Sequence, residues 1–187
     1  SVTEIDPRTD PLALIDVDHI RFLVGNAKQA AYFYASAFGF QVEQICDLTT
    51  GSRTAAKYLL TQGNIRLLLE TPLSKDAPGA DEIRRYGDGV KDIALTVFDA
   101  TKAYEQAIRN GGTSAYEPVT IKEGNGTVTM AGIQTYGRAV HTFVSRTGSF
   151  ALPAVKAGGQ FMPGYKPMSG FALNEYNRQH PCGLKFF

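Results

Sequence analysis

The hydrophobic pattern of the chain repeats itself. DHIRFLVGNAKQAAYFYASAFGF (18–40) aligns with KDIALTVFDATKAYEQAIRNGGT (91–113), bringing Ile20 onto Ile93, Val24 onto Val97, Ala27 onto Ala100, Ala30 onto Ala103 and Gly39 onto Gly112. Each copy starts as a short apolar run of strand type and changes to helical periodicity after a cap residue, Asn26 or Asp99. A short side-chain oxygen at that position accepts from the free amides of a first helical turn. The glycine that follows each helical stretch suits the left-handed residue at a helix C-terminus. Strand, capped amphipathic helix and glycine stop therefore occur twice, which predicts an internal repeat.

Further strand candidates follow each helix. In the first half they are FQVEQICDL (40–48), RTAAKYLLT (53–61) and NIRLLLET (64–71), with QGN at 62–64 as a hairpin turn. In the second half they are SAYEPVTI (114–121), TVTMAGIQT (127–135) and AVHTFVSR (139–146), with GNG at 124–126 and YG at 136–137 as turns. The prediction is an α+β fold of two βαβββ units, about 15–72 and 88–147, with mainly antiparallel cupped sheets and helices outside. A loop at 72–90 joins the units, residues 1–14 form an N-terminal arm, and the Gly- and Pro-rich stretch 151–187 reads as an extended linker. The closing GLKFF reads as a strand start that goes no further, as if the chain had been cut there.

Composition narrows the function. With 43% hydrophobic and 20% charged residues, 187 residues can bury a core. A net charge of +1 gives no electrostatic case for nucleic acid or an anionic membrane. Apolar runs are strand-sized and SVTEIDPRTD is not a signal peptide, so the expectation is a cytoplasmic protein. Cys46 and Cys182 are far apart in sequence and outside any CxxC pattern; they read as free thiols, with a disulfide as the alternative.

VGNAKQAAYFY (24–34), GSRTA (51–55), YGDGVKDIAL (86–95), IQTYG (133–137), HTFV (141–144) and FMPGY (161–165) occur in an order and spacing that resemble the N-terminal domain of the 4-hydroxyphenylpyruvate dioxygenase family. That family is part of the vicinal oxygen chelate superfamily, and the resemblance runs from about residue 15 to 167. It implies an enzyme of two double modules, the second holding Fe(II) through two histidines and a glutamate, with open positions for an α-keto acid and O2. The implied reaction takes 4-hydroxyphenylpyruvate and O2 to homogentisate and CO2 in tyrosine catabolism. The resemblance also implies a homo-oligomer. None of the family's ligand positions falls within 1–187, so it carries over no catalytic, cofactor or metal residue and implies a missing C-terminal catalytic domain. Hydroxymandelate synthase, with the same substrate and metal, is the alternative. A stand-alone binding or interaction module of this fold is another.

The superfamily's ligand positions lie on the first strand of a unit and its repeat mate, here His19 and Asp92, joined by Glu70 and His141 on the last strands. Together they would form a mixed imidazole and carboxylate site for iron, manganese or zinc. The preferred reading is a buried polar relic, in which a strand histidine is satisfied by a nearby carboxylate or backbone carbonyl. Asp18 reads as a surface or loop contact, because neighbouring strand residues point to opposite faces. Of Tyr32, Phe33 and Tyr34, one or two rings are expected in the core. Arg84, Arg85 and Lys91 read as a solvated face.

Overall fold

The protein is described by a computed structural model over residues 10, 12 and 14–184. Most of the N-terminal arm and the last residues of GLKFF lie outside the described residues. In chain order the elements are β1 (Leu14–Leu23), α1 (Ala27–Phe38), β2 (Gln41–Cys46), β3 (Ala55–Gln62), β4 (Ile65–Pro72), α2 (Ala80–Tyr86), β5 (Gly89–Val97), α3 (Ala100–Arg109), β6 (Ser114–Glu123), β7 (Gly126–Gln134), β8 (Val140–Thr147), α4 (Leu152–Lys156), β9 (Lys166–Pro167) and α5 (Ala172–Gln179). The chain divides into two compact units. The first comprises His19–Val90 with the segment from Gly164 onward, and the second Lys91–Pro163 with the segment up to Asp18.

In the first unit the strands run β1-β4-β3-β2-β9. β1 and β4 pair in parallel (Ile20↔Leu67 to Leu23↔Glu70), and β3 pairs antiparallel with both β4 and β2. Gly63, at φ 57°, turns the β3–β4 hairpin where QGN predicts it. Asn26 caps α1 by accepting from the Gln29 amide, and Gly39 closes it at φ 75°. Ala27, Ala31 and Ala35 form the buried stripe of α1. Their small side chains let the helix lie close on Val42, Tyr58, Leu60, Leu67 and Leu69. Of the aromatic run, Tyr34 packs against this core, while Tyr32 and Phe33 remain substantially exposed.

The second unit orders its strands β6-β7-β8-β5, again with one parallel pair, β5 with β8, and antiparallel hairpins elsewhere. Asp99 caps α3 through the Lys102 amide. The C-terminal end departs from the prediction: Gly111, not Gly112, takes the left-handed conformation, at φ 93°. Here α3 stops at Arg109 and the chain turns at Gly111. Gly112 is required for a different reason, because a Cβ there would lie 2.8 Å from the Ala107 carbonyl oxygen that accepts its N–H. Ala100, Ala103 and Ala107 pack with Val97 and Phe143 on one face of the sheet. Ala94, Val128, Val144 and Phe150 form a separate cluster.

Two stretches read as loop or linker carry helices. The 72–90 connection contains α2, whose Asp81–Arg84 pair is exposed. The stretch from 151 onward is not extended throughout: it contains α4 and α5, and Phe161, Tyr165, Phe171 and Asn177 are buried. β9 pairs with β2, and the Met168 amide donates to the Glu43 carbonyl. The Asn174 side chain both accepts from the Val42 amide (2.8 Å) and donates to the Val42 carbonyl (2.7 Å), bonding the strand edge as another strand would.

Candidate functional site

Register decides which of the expected site residues can meet. In β1, Ile20 and Phe22 pack on the α1 side, so His19 and Arg21 face the other way. Leu67 and Leu69 likewise leave Arg66, Leu68 and Glu70 on the face away from α1. His19 and Glu70 therefore share a face, and both are buried. They do not share a position along it. Glu70 pairs with Leu23, four residues beyond His19, which is about 13 Å along a strand. Glu70 instead lies between two cations, with Arg21 Nη1 at 3.2 Å and Lys57 Nζ, its cross-strand neighbour on β3, at 3.7 Å.

In the second unit Asp92 and His141 point to opposite faces. Ile133 pairs with His141, and both Ile133 and Phe143 pack with α3. His141 is thus on the α3 side, where Nδ1 sits 3.1 Å from the Ile93 carbonyl oxygen. Thr142, the next residue, faces the opposite way; its amide donates to Asp92 Oδ1 (3.0 Å) and its hydroxyl to Asp92 Oδ2. The internal repeat accounts for this. Ile20↔Leu67 in the first unit makes Leu67 the counterpart of His141, while Leu23↔Glu70 and Thr96↔Val144 make Val144 the counterpart of Glu70. Sequence reading put Glu70 and His141 together because both occupy the last strand of a unit. Their repeat positions are three residues apart, and an odd offset along a strand reverses the face.

The Asp92 carboxylate belongs to a row crossing the sheet. Tyr116 on β6 reaches over Gly132 on β7 and places its hydroxyl 2.7 Å from the Thr142 hydroxyl, which itself bonds Asp92. Gly132 is what allows the ring to lie there, since a Cβ would stand 2.3 Å from Tyr116 Cε1. The row is an internal hydrogen-bond network that includes Asp92, a carboxylate of the less favoured metal reading.

The strongest polar interaction in the second unit involves a residue read as peripheral. Asp18 is fully buried, not a surface contact. Arg146 on β8 grips it with Nε and Nη2, each at 2.8 Å, and Thr96 adds its hydroxyl at 3.3 Å. Arg146 also donates through Nη1 to the Phe161 carbonyl and lies 4.6 Å over the Phe161 ring. The motifs HTFVSR and FMPGY contain these partners, but neither motif indicated that they meet.

An iron held by a facial triad needs two imidazoles and a carboxylate converging on one point. Among the described residues no group of three or more His, Cys, Asp or Glu side chains could hold a metal ion. The third histidine, His180, stacks on Tyr176 with ring centroids 4.3 Å apart. These residues do not fit a resident iron. Cys46 and Cys182 are free thiols. No helix among the described residues is long and apolar enough to cross a membrane.

A family model, the Glyoxalase/Bleomycin resistance protein/Dioxygenase superfamily, matches residues 16–139. The chain belongs to that superfamily. Two curated relatives are 4-hydroxyphenylpyruvate dioxygenases. The one from Dictyostelium discoideum is 42% identical over 150 residues, covering 79% of this chain and 39% of the relative. The one from Danio rerio is 36% identical over 170 residues, covering 89% and 40%. This member of the superfamily therefore spans about two fifths of the length of these relatives. Among solved structures, a mutant of 4-hydroxymandelate synthase from Streptomyces coelicolor superposes with a TM-score of 0.65 at 19% identity, over 74% of this chain and 43% of that one. Methylmalonyl-CoA epimerase from Mycobacterium tuberculosis gives 0.58 at 17%, over 74% and 93%. At these identities the likeness is one of fold: the superfamily's βαβββ unit, with mixed pairing in an α+β protein.

Proposed function

We propose that this chain is the non-catalytic, structural N-terminal half of a 4-hydroxyphenylpyruvate dioxygenase, an enzyme that converts 4-hydroxyphenylpyruvate and O2 to homogentisate and CO2. The observation that carries the reading is the 36–42% identity to dioxygenases of that name over about four fifths of this chain and two fifths of theirs. Fe(II) would be held in the remaining length, by a second double module. When bound there it would supply the O2 chemistry. The residues of this chain hold a scaffold: Asp92 and Asp18 are committed to Thr142 and Arg146, and Glu70 to Arg21 and Lys57. The same reading places the enzyme in the cytoplasm as a homo-oligomer.

The test compares the purified chain with a longer protein in which it is joined to a second double module. Alone, the chain should retain no stoichiometric iron after loading and consume no O2 with 4-hydroxyphenylpyruvate. The longer protein should do both, with homogentisate as the product by chromatography. Hydroxymandelate as the product would transfer the assignment to the synthase. One equivalent of iron in the chain alone, with turnover, would reject the structural role.

A further inference from the structure

Beyond the proposed activity, the first unit has a cleft that the scaffold does not use. It has a volume of about 640 Å³ beside the first two turns of α1, bounded by Phe22 of β1, by Val24, Asn26, Gln29, Phe33 and Tyr34, and by Asp88 and Gly89. Three rings form its apolar side: Phe33 and Tyr34 meet edge to face at 5.4 Å, and Phe22 and Tyr34 lie 5.9 Å apart. Phe33 is 57% exposed although it belongs to this aromatic group.

The polar side carries a single sign. Among the described residues, Asp88 is the only charged one lining the cleft, and no lysine, arginine or histidine lines it. Asp88 Oδ1 accepts from the Gly25 amide at 2.7 Å, while Oδ2 has no partner among the described residues. The helix N-terminus alongside would ordinarily attract an anion. Here the Ala27 amide is taken by Thr71 Oγ1 (2.6 Å) and the Gln29 amide by Asn26 Oδ1 (3.0 Å), so that attraction is largely spent. A half-used carboxylate beside three aromatic rings favours an organic cation with a flat apolar body, by charge at one end and by ring faces at the other. It disfavours an anionic keto acid, which would meet Asp88 with no compensating base.

We infer that this cleft is a binding site for a small aromatic amine, its ammonium on Asp88 and its ring against Phe22, Phe33 and Tyr34. It is separate from the chemistry of the proposed dioxygenase and does not depend on it. For a ligand of this size in an open cleft the dissociation constant should be on the order of 1 mM.

The probe is 2-phenylethylamine, titrated into the full chain and followed by amide nitrogen–proton correlation spectra. Phenylacetate, of the same size and opposite charge, and ammonium chloride serve as controls. The expected result is saturable shifts at Gly25, Asn26 and Gly89 with the amine alone. Asp88→Asn, which keeps an oxygen for the Gly25 amide, should weaken binding about tenfold, as should Phe33→Ala at an exposed position. Equal shifts from phenylacetate, shifts from ammonium alone, no saturation by the amine, or unchanged affinity in Asp88→Asn would each overturn the assignment.

Discussion

Burying the Asp18 carboxylate and the Arg146 guanidinium removes both from water, and their fork-to-fork geometry, with Thr96 and Phe161 beside it, offsets that cost. Arg146→Met should therefore destabilise the protein by about 3–5 kcal/mol in urea unfolding, because Asp18 would keep its charge and lose the guanidinium opposite it. Removing both charges, in Asp18→Leu with Arg146→Met, should cost much less than the single change. A single-variant loss below about 1 kcal/mol would mean that the pair contributes no more than an exposed one. At Gly132 the deciding term is space. Gly132→Ala forces the Tyr116 ring off the sheet and should cost roughly 1–3 kcal/mol, as overpacking does. In a Tyr116→Ala background that cost should largely vanish; if it persists, the clash is not with the ring. Tyr58 sets a pH dependence. Burial, then the Asp47 carboxylate and Tyr32, raise its hydroxyl above the ordinary 10.0. A raised folded-state value means that its contribution is complete below about pH 10 and is lost as pH climbs through the folded-state value. Tyr58→Phe should flatten the fall in stability above about pH 10, and an unaltered alkaline limb would assign that fall to other groups.

At the scale of elements, legibility followed the local signals. Glycine turns at 62–64, 124–126 and 136–137 marked the hairpins, and Asn26 and Asp99 marked the helix starts, because each acts on its own neighbours in sequence. What depended on distant partners was not legible. The repeat aligned His19 with Asp92, but the face of His141 is set by pairing with Ile133 on another strand, and the burial of Asp18 by a residue 128 positions away. The tail was misread for a related reason. ALNEYNRQ offers few apolar positions to announce a helix, and α5 is fixed to the first unit by Leu173 together with polar groups. Asn177 donates to the Ala35 and Phe40 carbonyls at 2.9 and 2.8 Å where α1 ends, a second donor for Ala35 beside the Gly39 amide. Asn177→Ala removes both bonds from a buried place, leaving the Ala35 carbonyl only its Gly39 donor, and should cost about 1–3 kcal/mol. Thermal unfolding of that variant against Tyr176→Ala, at an exposed position of the same helix, separates the effect from helix propensity. Equal losses would show that the two carbonyls find other donors.

At the scale of the molecule, the family match and the physical unit have different extents. The superfamily segment ends at residue 139, yet the first unit is completed only when the chain returns at Gly164 and covers the β2 edge. That return buries Tyr165 and Phe171, side chains that each contribute roughly 1.5–3 kcal/mol when removed from water. It also supplies the Asn174 amide that brackets Val42. A chain ending at Pro163 should therefore melt well below the full chain. Hydrogen exchange locates the loss. The Val42 amide, which donates to Asn174, should lose protection in the shorter chain, whereas amides in the β7–β8 pairing of the second unit should keep theirs. If both chains melt together and Val42 stays protected, then β2 is stable without its cover, and the segment after Pro163 is a linker in the energetic sense as well as in composition.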